Sequence, residues 1–146
     1  MKVYVNAGHD RQLDSGAVNP RLDLRECDAA YELACLVMSY LEDNGIAVHF
    51  GQSDDLYAVC DEANWEDCDL FISLHFNAFN GRASGTETLI SGSTGSLMLG
   101  HCIQSNVKAV LNLPNRGLKE RPGLFVLRST MMPAVLVEVC FIDNDS

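Results

Sequence analysis

Positive charge is scarce in this chain: 10 Lys and Arg residues stand against 20 Asp and Glu, for a net charge of −10. A nucleic-acid partner calls for a basic footprint, and an anionic membrane surface calls for clustered Lys and Arg, so neither is expected. Long apolar runs are missing too. No stretch approaches the roughly 20 residues needed to span a bilayer, so no membrane insertion is expected. Met1-Lys2 passes straight into Val3-Tyr4-Val5 and then His9 and Asp10, leaving no room for a secretory leader, so synthesis in the cytoplasm is expected. None of the six cysteines forms a CxxC pair. Without a leader they read as reduced, mostly core residues rather than a disulfide framework. There is no internal repeat, linker or low-complexity tract, and no HExxH motif.

What is present is a chain of 146 residues, 47% hydrophobic, enough for one domain with its own core. The most informative stretch is Ala134 to Ile142 (AVLVEVCFI), a strand-length apolar run rich in β-branched residues. Such a run reads as a central strand covered on both faces. It carries one carboxylate, Glu138. A buried, unpaired carboxylate costs several kcal/mol. Glu138 must therefore neutralise itself, meet a cation (Arg121 and Arg128 are candidates), or open onto a cleft where it does chemistry.

Taken in order, Lys2–Asn6 reads as a strand and Arg11–Leu22 as a loop. Asp23 is expected to cap a helix running to about Asp43, with an apolar stripe through Leu24, Cys27, Tyr31, Ala34, Met38 and Leu41. Ile46–Phe50 follows as a strand, and a helix capped by Ser53 or Asp54 reaches Trp65–Asp67. Leu70–His75 and Gly85–Ile90 read as strands, Ser96–Leu111 as a helix, Leu113–Pro122 as irregular and Leu124–Leu127 as extended. Alternating strands and helices predict an α/β fold, a mostly parallel twisted central sheet flanked by helices. Ligands of such sheets bind outside the carboxyl ends of the strands. His9 follows the first strand and His75 ends the third, so both lie at that edge.

Two histidines at strand ends with carboxylates nearby are the ingredients of a catalytic zinc site of three protein ligands. The ligands are scattered, so spacing alone leaves structural histidines as an alternative. His49 and His101 read as structural or exposed.

Three segments carry a resemblance: Val3–Asp10 (VYVNAGHD), Leu70–Ala78 (LFISLHFNA) and Leu124–Asn144 (LFVLRSTMMPAVLVEVCFIDN). Together they resemble the zinc-dependent N-acetylmuramoyl-L-alanine amidases of the amidase-3 type, which cut bacterial peptidoglycan. The resemblance implies that fold, one zinc ion held by His9, Glu26 and His75, and Glu138 as the catalytic base. Asn77 is implied as a weaker substrate contact. Asp10, Asp14, Asp23 and Asp28 remain alternatives to Glu26. Two features depart from the family pattern: Asn6-Ala7-Gly8-His9-Asp10-Arg11 stands where Asp-Pro-Gly-His-Gly-Gly is usual, and Cys140 where Gly is common. The expected protein is a monomeric catalytic domain over residues 1–146, complete or cut short at its C-terminal end, acting on the cell wall after release or export, as an endolysin or autolysin does. Rival readings are another zinc peptidase or carboxypeptidase acting on wall peptides, a cysteine hydrolase using Cys140 or Cys27, and a catalytically dead wall-binding module.

Overall fold

The computed structural model describes residues 1–145. In chain order it runs through β1 (Lys2–Ala7), a small hairpin of β2 (Val18–Asn19) and β3 (Leu24–Arg25), α1 (Glu26–Asp43), β4 (Ala47–Gly51) and α2 (Leu56–Trp65). β5 (Leu70–Asn77), β6 (Thr86–Ile90), α3 (Thr94–Leu111), β7 (Asn115–Glu120), α4 (Phe125–Arg128) and β8 (Ala134–Phe141) follow.

Six strands form one sheet in the order β4-β1-β5-β8-β6-β7, in which only the β6–β8 pair is antiparallel. The long apolar run of β8 is explained by its interior place. Leu136 packs with Tyr4 and Phe71 against Val59 and Ala63 of α2 and Leu127 of α4. On the opposite face Val135 and Val137 join Val3 and Val5 against Ala30 and Ala34 of α1. The chain leaves β1 for β4 on one side and returns to β5 on the other. This topological switch point leaves a crevice beyond the carboxyl ends of β1 and β5.

Four local expectations are corrected. Asp23 is not a helix cap: it takes a left-handed φ of 55° between β2 and β3, and α1 starts at Glu26 with Arg25 at the cap position. The hairpin takes Leu24 and Arg25 into extended pairing, so the helix cannot begin sooner. Asp55, rather than Ser53 or Asp54, caps α2, its side chain accepting from the Ala58 amide at 3.0 Å. Residues 115–120 are not irregular but pair as an edge strand; their charged, non-alternating sequence hides a strand yet suits an exposed edge. Residues 125–128 form one helical turn instead of extended chain, because Val126 and Leu127 are both buried in the core between α2 and the sheet.

All six cysteines are free thiols. Among the described residues no helix is long and apolar enough to cross a membrane.

Candidate metal centre

Three segments far apart in sequence meet at the switch point. His9 stands just beyond β1, Glu26 opens α1 and His75 lies near the end of β5. One ligand atom from each lies within 4.8 Å of the other two, a spacing that can hold a metal ion. His9 Nε2 is 3.1 Å from Glu26 Oε2, and His75 Nδ1 is 2.9 Å from Glu26 Oε1. The two imidazoles meet edge to face, 5.1 Å between ring centres. Imidazole with carboxylate suits zinc among the divalent metals.

The surrounding chain is shaped to this cluster. His9 adopts a φ of 63°, left-handed for a residue that is not glycine, a strain that clusters at functional sites. Its Nδ1 meets Asp14 Oδ2 at 2.7 Å, which fixes the ring so that Nε2 faces Glu26. Gly8 packs so closely on His75 that an added Cβ would lie 2.6 Å from Nδ1. A Cβ at Gly16, where φ is +64°, would lie 2.6 Å from Glu26 Oε2. The helix dipole at the start of α1 favours a carboxylate, and the Ala17 and Phe76 amides donate to Glu26 at 2.8 and 3.0 Å. Burial works against the charge on Glu26. The hydrogen bonds from His75, His9, Ala17 and Phe76 outweigh it and hold the carboxyl well below its usual range. His9 is pushed up to about 9, chiefly by its bond to Glu26 and against the effect of burial, with help from Asp14.

Glu138 lies beside this cluster. In the register of the parallel pair, His75 stands opposite Glu138, and across the antiparallel pair Glu138 stands opposite Glu87. His75, Glu138 and Glu87 thus form one row across the sheet. Glu138 Oε2 is buried without a hydrogen-bond partner. Burial first, then the charges of Glu26 and Glu87, push this carboxyl up to about 7. Arg121 and Arg128 are not its partners: Arg121 bonds the Glu120 carbonyl and Arg128 stacks over Phe125. A cleft of about 340 Å³ opens over this edge, lined by His9 and His75 and by apolar Leu56, Leu124 and Phe125, within the size range of small-molecule sites.

Of the alternative carboxylates, Asp14 supports His9, Asp28 pairs with Arg11 and Arg25, and Asp10 accepts from the Gln12 and Leu13 amides. Asp23 sits in the hairpin turn. Only Glu26 joins both histidines. Asn77 donates to Glu87 Oε1 at 3.3 Å and accepts from the Ala78 amide at 2.9 Å, so it braces Glu87 and the loop after β5. His49 bonds Glu62 on the outside of α2, and His101 is exposed on α3. Cys27 and Cys140 have thiols raised by burial, the opposite of an activated nucleophile. The role of Glu87, a carboxylate inside a strand like Glu138, was missed although the same puzzle marks it.

A mainly parallel sheet whose carboxyl edge carries a His–Glu–His cluster beside an unpaired carboxylate defines an α/β protein with a potential metal centre. The sequence profile of the amidase-3 family, described as N-acetylmuramoyl-L-alanine amidase, matches residues 3–146, and the chain belongs to that family. It is 35% identical to an uncharacterized protein of Clostridium perfringens, over 97% of this chain and 44% of that protein. It is also 35% identical to an endolysin of Bacillus phage SPP1, over 97% of this chain and 55% of the endolysin. The chain therefore spans about half the length of these two relatives. The crystal structure of an N-acetylmuramoyl-L-alanine amidase from Clostridium difficile 630 superposes with a TM-score of 0.89 at 29% identity, covering 98% of this chain and 81% of that one.

Proposed function

We propose that the chain is a zinc-dependent hydrolase of the amide bond between the lactyl group of N-acetylmuramic acid and L-alanine in bacterial peptidoglycan. Residues 1–146 are its catalytic domain, and it reaches the wall after release or export from the cytoplasm. The observation that carries this reading is the side-by-side register of His75 and Glu138, which sets an unpartnered buried carboxylate oxygen next to a His–Glu–His cluster.

The residues fit the metal. His9, Glu26 and His75 would hold it, the carboxylate giving one negative charge and the imidazoles neutral donors. When bound, zinc supplies a Lewis acid for the scissile carbonyl and an acidifying charge for the attacking water. Glu138 takes the water's proton at its carboxylate and returns it to the leaving amine. Asp14 holds His9 in the tautomer that turns Nε2 to the site. Leu56, Leu124 and Phe125 give the cleft beside His9 and His75 an apolar wall. Asn77 steadies the row through Glu87 and is the weaker candidate for a substrate contact.

Replacing Glu138 tests this division of labour. Glu138→Ala loses at least roughly 100-fold in turnover, the size of a general-base contribution, while its zinc content stays at that of the unaltered protein. Loss of zinc from that variant makes Glu138 a ligand, and full activity after chelation of the unaltered protein removes the metal mechanism.

A further inference from the structure

Beyond Glu138 the row across the sheet ends in a cation. Arg116 Nε donates to Glu87 Oε2 at 3.0 Å, and the guanidinium lies over the Phe141 ring, 5.1 Å from its centre. The backbone is bent to put it there. Thr86 pairs with Asn115 but Glu87 pairs with Gly117, so Arg116 is the extra residue of a bulge, the device by which sheets re-aim a side chain. Gly117 takes a φ of +76° to complete the bulge, and Asn115 Oδ1 accepts its amide at 3.0 Å. Gly85 supplies the space: at a φ of +124°, a Cβ there would lie 2.8 Å from the Arg116 Cγ.

This placement leaves the business end of the side chain uncommitted. Nε is used by Glu87, while neither Nη has a hydrogen-bond partner among the described residues. The Arg116 side chain is 42% exposed, against 13% for Glu87, so the fork faces solvent while its stem is anchored. A guanidinium fixed in this way has little freedom to lose on binding a carboxylate with its two Nη groups. The need for such a cation is set by its surroundings. Glu138 and Glu87 on the sheet and Glu26 at the start of α1 are all carboxylates, in a chain of net charge −10, and an anionic substrate would otherwise be repelled.

We propose that Arg116 is a specificity-determining residue that receives a carboxylate on the peptide side of the scissile amide. The inference rests on the amide-hydrolase reading above and names the substrate class that this site prefers. Distance selects which carboxylate. Glu87 is one strand spacing, about 4.8 Å, from Glu138, and Arg116 reaches it from the next strand. An extended peptide advances about 3.3–3.6 Å per residue. The group recognised therefore belongs to one of the first three or so residues after the cleaved bond, and an acidic peptide is preferred over its amide.

The test compares two N-acetylmuramoyl dipeptides that differ only in a free carboxylate or a carboxamide on the second residue. It measures hydrolysis of both, and binding of the two released dipeptides by calorimetry. The unaltered protein favours the acid by roughly 10- to 100-fold in kcat/KM and in dipeptide affinity, the range for a charge-assisted pair. Arg116→Gln abolishes the preference, lowering kcat/KM on the acid far more than on the amide, and Arg116→Lys restores part of it. Equal losses on acid and amide in Arg116→Gln, or no preference in the unaltered protein, overturn the proposal. If neither muramoyl dipeptide is cleaved, the amidase reading fails, and the dipeptide affinities still decide the role of Arg116: an acid preference lost in Arg116→Gln upholds it, and equal binding refutes it.

Discussion

At the scale of single residues, the candidate centre depends as much on uncharged positions and supports as on its ligands. His9, His75 and Glu138 were readable in the sequence because each is a polar group at or inside an apolar strand, where it needs a reason to be. Glu26 came from the family resemblance, since four aspartates nearby were equally plausible on spacing. Gly8 and Gly16 carry no such mark. Their importance arises from the approach of His75, His9 and Glu26 in three dimensions, and glycine in a loop has many other uses. Asp14 was legible only as one carboxylate among several. Its 2.7 Å contact with His9 Nδ1 makes it the group that orients this ring. Asp14→Ala is expected to weaken zinc binding roughly 10- to 100-fold, as loss of a ligand's support typically does. Competition against a chelator of known affinity measures it, and an unchanged affinity removes Asp14 from the support of the site.

At the scale of elements, the strands and helices with strong periodicity were found and the weakly patterned ones were not. β8 declared itself by a β-branched run, and α1 and α3 by length and apolar spacing. β7 did not, because an edge strand buries little and its sequence NRGLKE lacks alternation. The β2–β3 hairpin pairs only two residues on each strand, below what pattern can detect. A support of the β1–α2 packing lies away from the centre. Tyr4 is fully buried and donates its hydroxyl to Glu62 Oε2 at 2.6 Å, with Gly51 leaving room for that hydroxyl. The Tyr4 bond, opposed by burial and aided by His49, lowers the Glu62 carboxyl. A carboxyl lowered on folding stabilises the protein above its unfolded pKa, and that contribution disappears as pH falls through the folded value. Tyr4→Phe is thus expected to cost about 1 kcal/mol near neutrality, a modest figure because Glu62 is partly exposed. The difference from the unaltered protein narrows as pH drops below about 4. Urea unfolding across pH measures it, and a gap that widens in acid would falsify this account of the pair.

At the scale of the whole molecule, the topology does the gathering. A sheet order of β4-β1-β5-β8-β6-β7 brings the carboxyl ends of β1 and β5 together, and α1, following β1, delivers Glu26 to the same place. The layer architecture and mostly parallel sheet could be read from alternating elements. The strand order could not, because apolar runs do not name their neighbours. That order places His75 opposite Glu138 and Glu138 opposite Glu87, turning separate polar residues into a row on one face. The activity proposed for this row and the His–Glu–His cluster is cleavage of the bond between muramic acid and the first residue of the peptide. Another zinc peptidase on the same scaffold would cut further along the peptide. End-group analysis of purified peptidoglycan digested with the zinc-loaded protein distinguishes them directly. New amino-terminal L-alanine is the expected product; release of any other amino terminus without L-alanine contradicts the proposed activity.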